Sequence, residues 1–272
     1  MSSNVFKFTG ARPANYDQYL GPFLFEPFGK EMASRIPNTR IDAVLELAAG
    51  TGRVTRHLRD RLPSSVRLVA NDLSPDMLAI ARQKFTPDQL IEWSVDDMQN
   101  LSFADDSFDV VVCQYGLMFP SDKQRVFQEV YRVLKPGGVF WFSTWEKTDH
   151  VPLFKLIYND HVIPFFQGED ASRFLVPYSL HQPDELRNFL TKSGFSRPNI
   201  EKVTLMGQGE SAHQLVQGFF ITHSVGQEVA NRDQHAFESI ARNIERDIIH
   251  QFGDKPVRCE LVSYFGSAVK SI

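Results

Sequence analysis

The stretch Val44-Leu45-Glu46-Leu47-Ala48-Ala49-Gly50-Thr51-Gly52-Arg53-Val54-Thr55 joins an apolar run, an acid, a loop of small residues and a helix start. That order predicts a strand, a tight turn and a helix N-terminus, the local plan of a nucleotide-binding crevice. Gly50 and Gly52 let the backbone approach a ligand, because no Cβ intrudes. Glu46 stands just before the loop, where the strand ends. A carboxylate there suits an ammonium group or a ribose hydroxyl and would repel a pyrophosphate. This favours S-adenosylmethionine (SAM) over a dinucleotide. A dinucleotide fingerprint also needs Gly or Ala at position 55, where Thr55 stands.

A second acid, Asp72, closes the next apolar run. A carboxylate at that place accepts both ribose hydroxyls as a bidentate pair. Capping of the following helix falls to Ser74, with Pro75 as its first residue. Leu73 and Met77 either line an adenine face or pack in the core. Gln114-Tyr115-Gly116-Leu117-Met118-Phe119 follows another apolar run. Tyr115 either offers a π face to a sulfonium or a hydroxyl to an acceptor, or is a core aromatic.

These residues need elements to hold them. Helical lead-in residues run from about Tyr16 to Ile36, interrupted by Pro22 and Pro27. Strands then alternate with helices: strands at Ala43 to Leu47, Arg67 to Asn71, Ile91 to Val95, Phe108 to Cys113 and Val139 to Ser143. Helices are expected at Arg53 to Arg61, after Ser74, and at Asp122 to Leu134, the last stopped by Pro136-Gly137-Gly138. This rhythm predicts an α/β doubly wound, mostly parallel seven-stranded Rossmann-like sheet. In such sheets ligands bind at the carboxyl ends of strands, where every acid above falls. After Trp145 the rhythm changes. Strands are expected near Ile200 to Met206 and Val257 to Val269, and a helix from Pro183 to Ser193. Further helices are expected over residues 211–224 and 227–250. Segments 150–178 and 208–252 read as a helical cap inserted after strand five. The expected organisation is a lead-in (1–40), a SAM-binding core (41–145), and the remaining strands with the cap (146–272), all one domain.

The 272 residues are 42% hydrophobic and 23% charged, enough for one large core, and the net charge of −4 lacks the basic footprint of a nucleic-acid binder. Cys113 and Cys259 are too few for a disulfide framework, and no Cys/His spacing suggests a metal site. Met1 to Gly10 has no apolar h-region and no run is long enough to span a membrane, so a cytoplasmic location is expected. The sequence leaves the oligomeric state open.

Four segments in order carry a family resemblance: Val44 to Thr55; Val69 to Leu78; Asp96 to Cys113; and Tyr131-Arg132-Val133-Leu134-Lys135-Pro136-Gly137-Gly138. The chain resembles the class I SAM-dependent methyltransferases, in the small-molecule group that includes the ubiquinone/menaquinone C-methyltransferases. The resemblance covers Ile41 to Ser143 well and the C-terminal half weakly. It implies that Glu46 meets the methionine ammonium. Asp97 would accept the adenine amine, with Met98 offering its backbone amide and Asp96 as the neighbouring alternative. Gln114 and Tyr115 would face the sulfonium and the acceptor. The implied cofactor set also takes in Ala48, Gly50, Thr51, Gly52, Asp72, Leu73 and Met77, with Arg53, Tyr16 and Tyr19 as candidates for the carboxylate. Ala48 departs from the family's first glycine. It is expected to sit at negative φ and do little harm.

The expected chemistry is in-line displacement of the methyl group by a small acceptor, at oxygen or carbon. Positioning supplies much of the acceleration. A base would still help to ionise the acceptor, and Tyr115, His150, His161 and His181 are the candidates. Phe154, Phe165, Phe166, Phe174, Tyr178, Phe219 and Phe220 suit a flat or lipophilic acceptor. Three rivals stand beside this reading: a nicotinamide-dependent oxidoreductase, a protein that binds SAM without turnover, and an enzyme of this fold whose product cyclises.

Overall fold

The computed structural model describes residues 12–271, so the reading of Met1 to Gly10 lies outside the described residues. Among these residues seven strands form one sheet. They are β1 (Ala43–Leu47), β2 (Arg67–Asp72), β3 (Ile91–Val95), β4 (Phe108–Gln114), β5 (Leu134–Trp145), β6 (Phe195–Gly209) and β7 (Val257–Lys270). Their order is β3-β2-β1-β4-β5-β7-β6. β1 to β5 pair in parallel, and β7 runs antiparallel to both β5 and β6. The expected doubly wound, mostly parallel seven-stranded sheet is the fold found.

Every residue of β1 is buried, as befits a parallel strand covered on both faces. The covering helices include α1 (Glu26–Ser34), α2 (Arg53–Arg61), α3 (Pro75–Arg82), α4 (Lys123–Val133), α5 (Pro183–Lys192), α6 (Ser224–Arg232) and α7 (Gln234–Phe252). Ser74 caps α3 as expected, its Oγ accepting from Met77 N at 3.3 Å. Because β2 and β4 flank β1 on opposite sides, the chain reverses direction there. Such a switch point, at the carboxyl ends of β1 and β4, is where sheets of this kind bind ligands.

Three boundaries differ from expectation. Pro136-Gly137-Gly138 does not stop α4. The helix ends at Val133, because buried Leu134 pairs with Phe108 and starts β5. The Pro-Gly-Gly residues form an irregularity in β5, with Gly137 at φ +80°. The expected helix over 227–250 is interrupted at Asp233, whose Oδ1 accepts from Ala236 N at 2.9 Å and begins α7. Pro22 lies inside a π-helical segment, Tyr16–Phe25, while Pro27 falls in the first turn of α1, where its missing N–H costs nothing.

Beyond β5, short helical turns over 152–178 pack against the helices of 212–252. Tyr158 meets Phe219 edge-on, and His161 Nε2 lies 2.9 Å from Asp247 Oδ2. Phe154 stands edge-on to Trp145 at 5.4 Å, which seats this layer over the end of β5. Among the described residues no helix is long and apolar enough to cross a membrane.

Candidate cofactor crevice

The loop leaving β1 is built from left-handed residues. Ala48 has φ +51°, Gly50 +56° and Gly52 +80°. Ala48 therefore does not adopt the negative φ expected of it. A residue with a Cβ in that region costs about 1 kcal/mol. Part of the reason is packing, since a Cβ on Gly116 would lie 2.5 Å from the Ala48 methyl. Gly116 is the residue that makes room for Ala48. Gly52 is needed for both φ and space, because a Cβ there would stand 3.1 Å from Ala81 and Phe85. Met77 faces this loop, its Cε 3.8 Å from a Cβ built on Gly50, whereas Leu73 is 68% exposed.

Asp72, at the end of β2, fixes the loop. Its Oδ2 accepts from Gly50 N and its Oδ1 from Ser74 N, both at 2.8 Å. Burial raises its pKa, and these two N–H groups offset part of that rise. Each oxygen keeps a second lone pair for a further donor.

Glu46 is 2% exposed, and its Oε2 has no hydrogen-bond partner. Burial pushes its pKa up to about 8, and nearby Asp72 adds to the rise while Thr55 opposes it. Gln114 Oε1, at the end of β4, is a second buried acceptor without a partner, while Gln114 Nε2 donates to Phe25 O at 3.2 Å. Asp97, after β3, accepts from Gln99 N at 2.9 Å and from Gln99 Nε2 at 3.2 Å. Asp96 turns instead to Ser102, accepting from its N and Oγ at 2.8 and 2.6 Å. Met98 reaches the loop after β4, its Cε 3.5 Å from a Cβ built on Gly116.

Several candidates have other engagements. Arg53 donates to Asp17 and Glu26, and Thr51 Oγ1 donates to Asp17 at 2.7 Å. Tyr19 Cβ would lie 2.9 Å from a Cβ built on Gly218. Tyr115, at φ +54°, stacks flat on Trp145 at 3.9 Å and meets Phe28 edge-on. Its hydroxyl is buried near Ser143 and Ser263 without a well-formed hydrogen bond. Burial holds that phenol well above its usual range, so it is no base near neutral pH. His150 is mostly exposed and 3.4 Å from Glu146 Oε1. His161 is paired with Asp247. His181 Nδ1 lies 2.9 Å from the backbone carbonyl of Tyr178.

The chain is similar to known proteins in sequence and in fold. The family described as "Methyltransferase domain" matches residues 45–142, from β1 into β5. The ubiquinone/menaquinone biosynthesis C-methyltransferase UbiE of Stenotrophomonas maltophilia is 32% identical over 179 residues, covering 60% of this chain and 69% of that protein. The chain belongs to the class I SAM-dependent methyltransferases. The UbiE of Hydrogenovibrio crunogenus is 27% identical over 168 residues, covering 57% of this chain and 66% of that one. The methyltransferase thus spans about two thirds of the length of such relatives. Among solved structures, a phosphoethanolamine N-methyltransferase 2 of Haemonchus contortus superposes with a TM-score of 0.63 at 17% identity, covering 98% of this chain and 58% of that one. The [4+2]-cyclase SpnF superposes at 0.60 with 16% identity, covering 95% and 93%. Both show a shared fold.

The crevice fits SAM on its own chemistry. Two buried acceptors without donors, Glu46 Oε2 and Gln114 Oε1, stand at the ends of adjacent strands. An ammonium group would supply the missing donors.

Proposed function

We propose that this methyltransferase moves the methyl group of SAM to a small, planar or lipophilic acceptor, at oxygen or carbon. The observation that carries the acceptor class is a continuous aromatic wall leading away from Gln114. Tyr115 stacks on Trp145, Trp145 meets Phe154 at 5.4 Å, and Phe154 meets Tyr178 at 4.8 Å. Such a wall selects a flat apolar ring and offers no cation for a phosphate backbone. The UbiE relatives favour a phenolic or quinol ring and carbon as the acceptor atom.

In this reading Asp72 holds the ribose hydroxyls, Glu46 and Gln114 hold the methionine end, and Asp97 with Met98 borders the adenine beside Leu73 and Met77. The left-handed loop Ala48 to Gly52 lets backbone reach the ligand. When bound, SAM supplies a methyl group on a sulfonium, already activated for transfer. The protein's task is to align the acceptor and exclude water, which the buried aromatic wall does. The helical turns over 152–178 and the helices of 212–252 form the acceptor cap of a single domain. Where the acceptor needs ionising, His181 is the histidine beside the wall, through its contact with Tyr178.

The test is formation of S-adenosylhomocysteine with a panel of phenols, quinols, amines and oligonucleotides. Turnover confined to aromatic or lipophilic small molecules is expected. Turnover with oligonucleotides alone would overturn the acceptor class.

A further inference from the structure

Gln99 joins the loops that follow β3 and β4. Its Nε2 donates to Asp97, lying 3.2 Å from both Oδ1 and Oδ2, and its backbone N–H donates to Oδ1 at 2.9 Å. Its Oε1 accepts from Ser121 Oγ at 3.1 Å and from the Asp122 N–H at 2.9 Å. A backbone N–H can only donate, so Asp122 decides which end of the amide is oxygen and which is nitrogen. The nitrogen end is thereby committed to Asp97. The Gln99 carbonyl is held as well, accepting at 3.2 Å from Nε of Arg125, in the first turn of α4.

The two neighbouring acids are not interchangeable. Asp96 Oδ2 takes both donors of Ser102. The Asp96 backbone is tied to β2, its N–H donating to Asp72 O at 3.4 Å and its carbonyl accepting from Asn71 Nδ2 at 3.3 Å. Asp97 therefore follows a residue pinned beside Asp72. Its Oδ1 is filled by two donors from Gln99. Among the described residues Oδ2 accepts from the Gln99 amide alone, which leaves it one lone pair. One open acceptor position suits an amine, which brings N–H groups. It does not suit a carbonyl, whose oxygen the carboxylate repels. Adenine carries an amine on its six-membered ring, and deamination puts a carbonyl in its place.

Asp97 alone would be free to turn about its side-chain torsions. Three contacts from one residue fix them, so the open position faces one way before any ligand arrives. Both ends of the Gln99 amide are satisfied within the protein, which leaves it nothing to offer the cofactor directly.

We infer that Gln99 is a positioning residue for nucleobase selection: its amide takes its orientation from the start of α4 and holds Asp97 with one acceptor position open to the exocyclic amine of adenine. This rests on the reading of Asp97 as the adenine acid. The experiment is calorimetric binding of S-adenosylhomocysteine and of its deaminated analogue, S-inosylhomocysteine, to the full chain. Wild type, Gln99→Met, Gln99→Asn and Asp97→Ala are compared. Wild type should prefer the adenine form by at least about tenfold, the scale of one hydrogen bond to a charged group. Gln99→Met keeps the length and removes both polar ends. It should bind the adenine form about fivefold more weakly, with the deaminated form changed by less than about twofold. Gln99→Asn keeps an amide that is one carbon too short to join both loops, so it should lose the same preference. It also decides the matter should Gln99→Met fail to fold. The KM for the acceptor should stay unchanged in both. A preference kept at the wild-type level in the folded Gln99 variants, or equal weakening of both ligands, would show a structural role only and overturn the proposal. Asp97→Ala separates the two layers of the argument. If it abolishes the preference while the Gln99 variants do not, the role of Gln99 alone fails. If it keeps the preference, or wild type shows none, the adenine reading of Asp97 fails too.

Discussion

The two halves of the crevice rim are built on different principles. Along β1, β2 and β4 the rim is made of fixed carboxylates and left-handed backbone: Glu46, Asp72, and Ala48, Gly50 and Gly52 at positive φ. Along β5 and the cap it is made of rings: Trp145, Phe154, Tyr158 and Tyr178, all buried. The first half has polar atoms waiting for donors, while the second offers shape. A ligand with fixed charges needs the first kind of surface, and a ligand recognised by its flatness needs the second. In the function proposed above, cofactor and acceptor lie on opposite sides of Gln114.

The comparison can be broken most forcefully at Asp72. Replacing it with Ala removes the staple to Gly50 and the two ribose contacts proposed for it, so kcat/KM for SAM should fall at least about a hundredfold, the scale of two charge-assisted hydrogen bonds. An effect under tenfold in steady-state turnover would move the cofactor elsewhere.

Glu46→Gln comes next, with a fall of about tenfold in affinity for SAM on the same scale. It also carries a pH signature. The folded-state pKa of about 8 lies above the unfolded value, so the folded protein holds an extra proton between them. Stability from this site therefore falls as pH rises through that window, and the penalty is full above about pH 8. The melting midpoint of the Gln variant should gain on wild type between pH 5.5 and pH 8.5. Parallel midpoints would show Glu46 to be ionised and paired.

On the aromatic side, Phe154→Leu should cost less than about 1.5 kcal/mol of stability while raising the acceptor KM several-fold and leaving SAM affinity unchanged. A change in SAM affinity of similar size would mean the two sides are not separate. The smallest effect is expected at Ala48→Gly, which should stabilise the fold by up to about 1 kcal/mol by relieving the left-handed alanine. Chemical denaturation reads this directly, and a destabilised variant would show that the Ala48 methyl packs more than it strains.

The same division explains what the sequence made legible. Strand-ending acids and glycines are local, so Glu46, Asp72, Gly50 and Gly52 announce themselves by spacing alone. Parallel strands such as β1 and β4 are legible because burial on both faces makes them continuous apolar runs. The bonds of Asp17 to Thr51, Arg53 and Lys84 are not legible, since these partners lie 34, 36 and 67 residues away and share no motif. Arg53 was open to reading as a cofactor ligand for the same reason. Its place in the helix start was plain, while its commitment to Asp17 and Glu26 depends on where the segment Tyr16–Phe25 lies. Tyr115 and Trp145 give only aromatic character in sequence. Their flat stack exists because Tyr115 adopts φ +54° at the end of β4.

The central claim, that the ammonium of SAM meets the buried Glu46 carboxylate, is tested most directly by titrating SAM calorimetrically near pH 7 in buffers of different ionisation enthalpy. Wild type should release protons on binding, because pairing with an ammonium drives Glu46 from its protonated to its ionised form. Glu46→Gln should bind more weakly without that release. Equal proton release in both proteins would place the ammonium elsewhere and contradict the account.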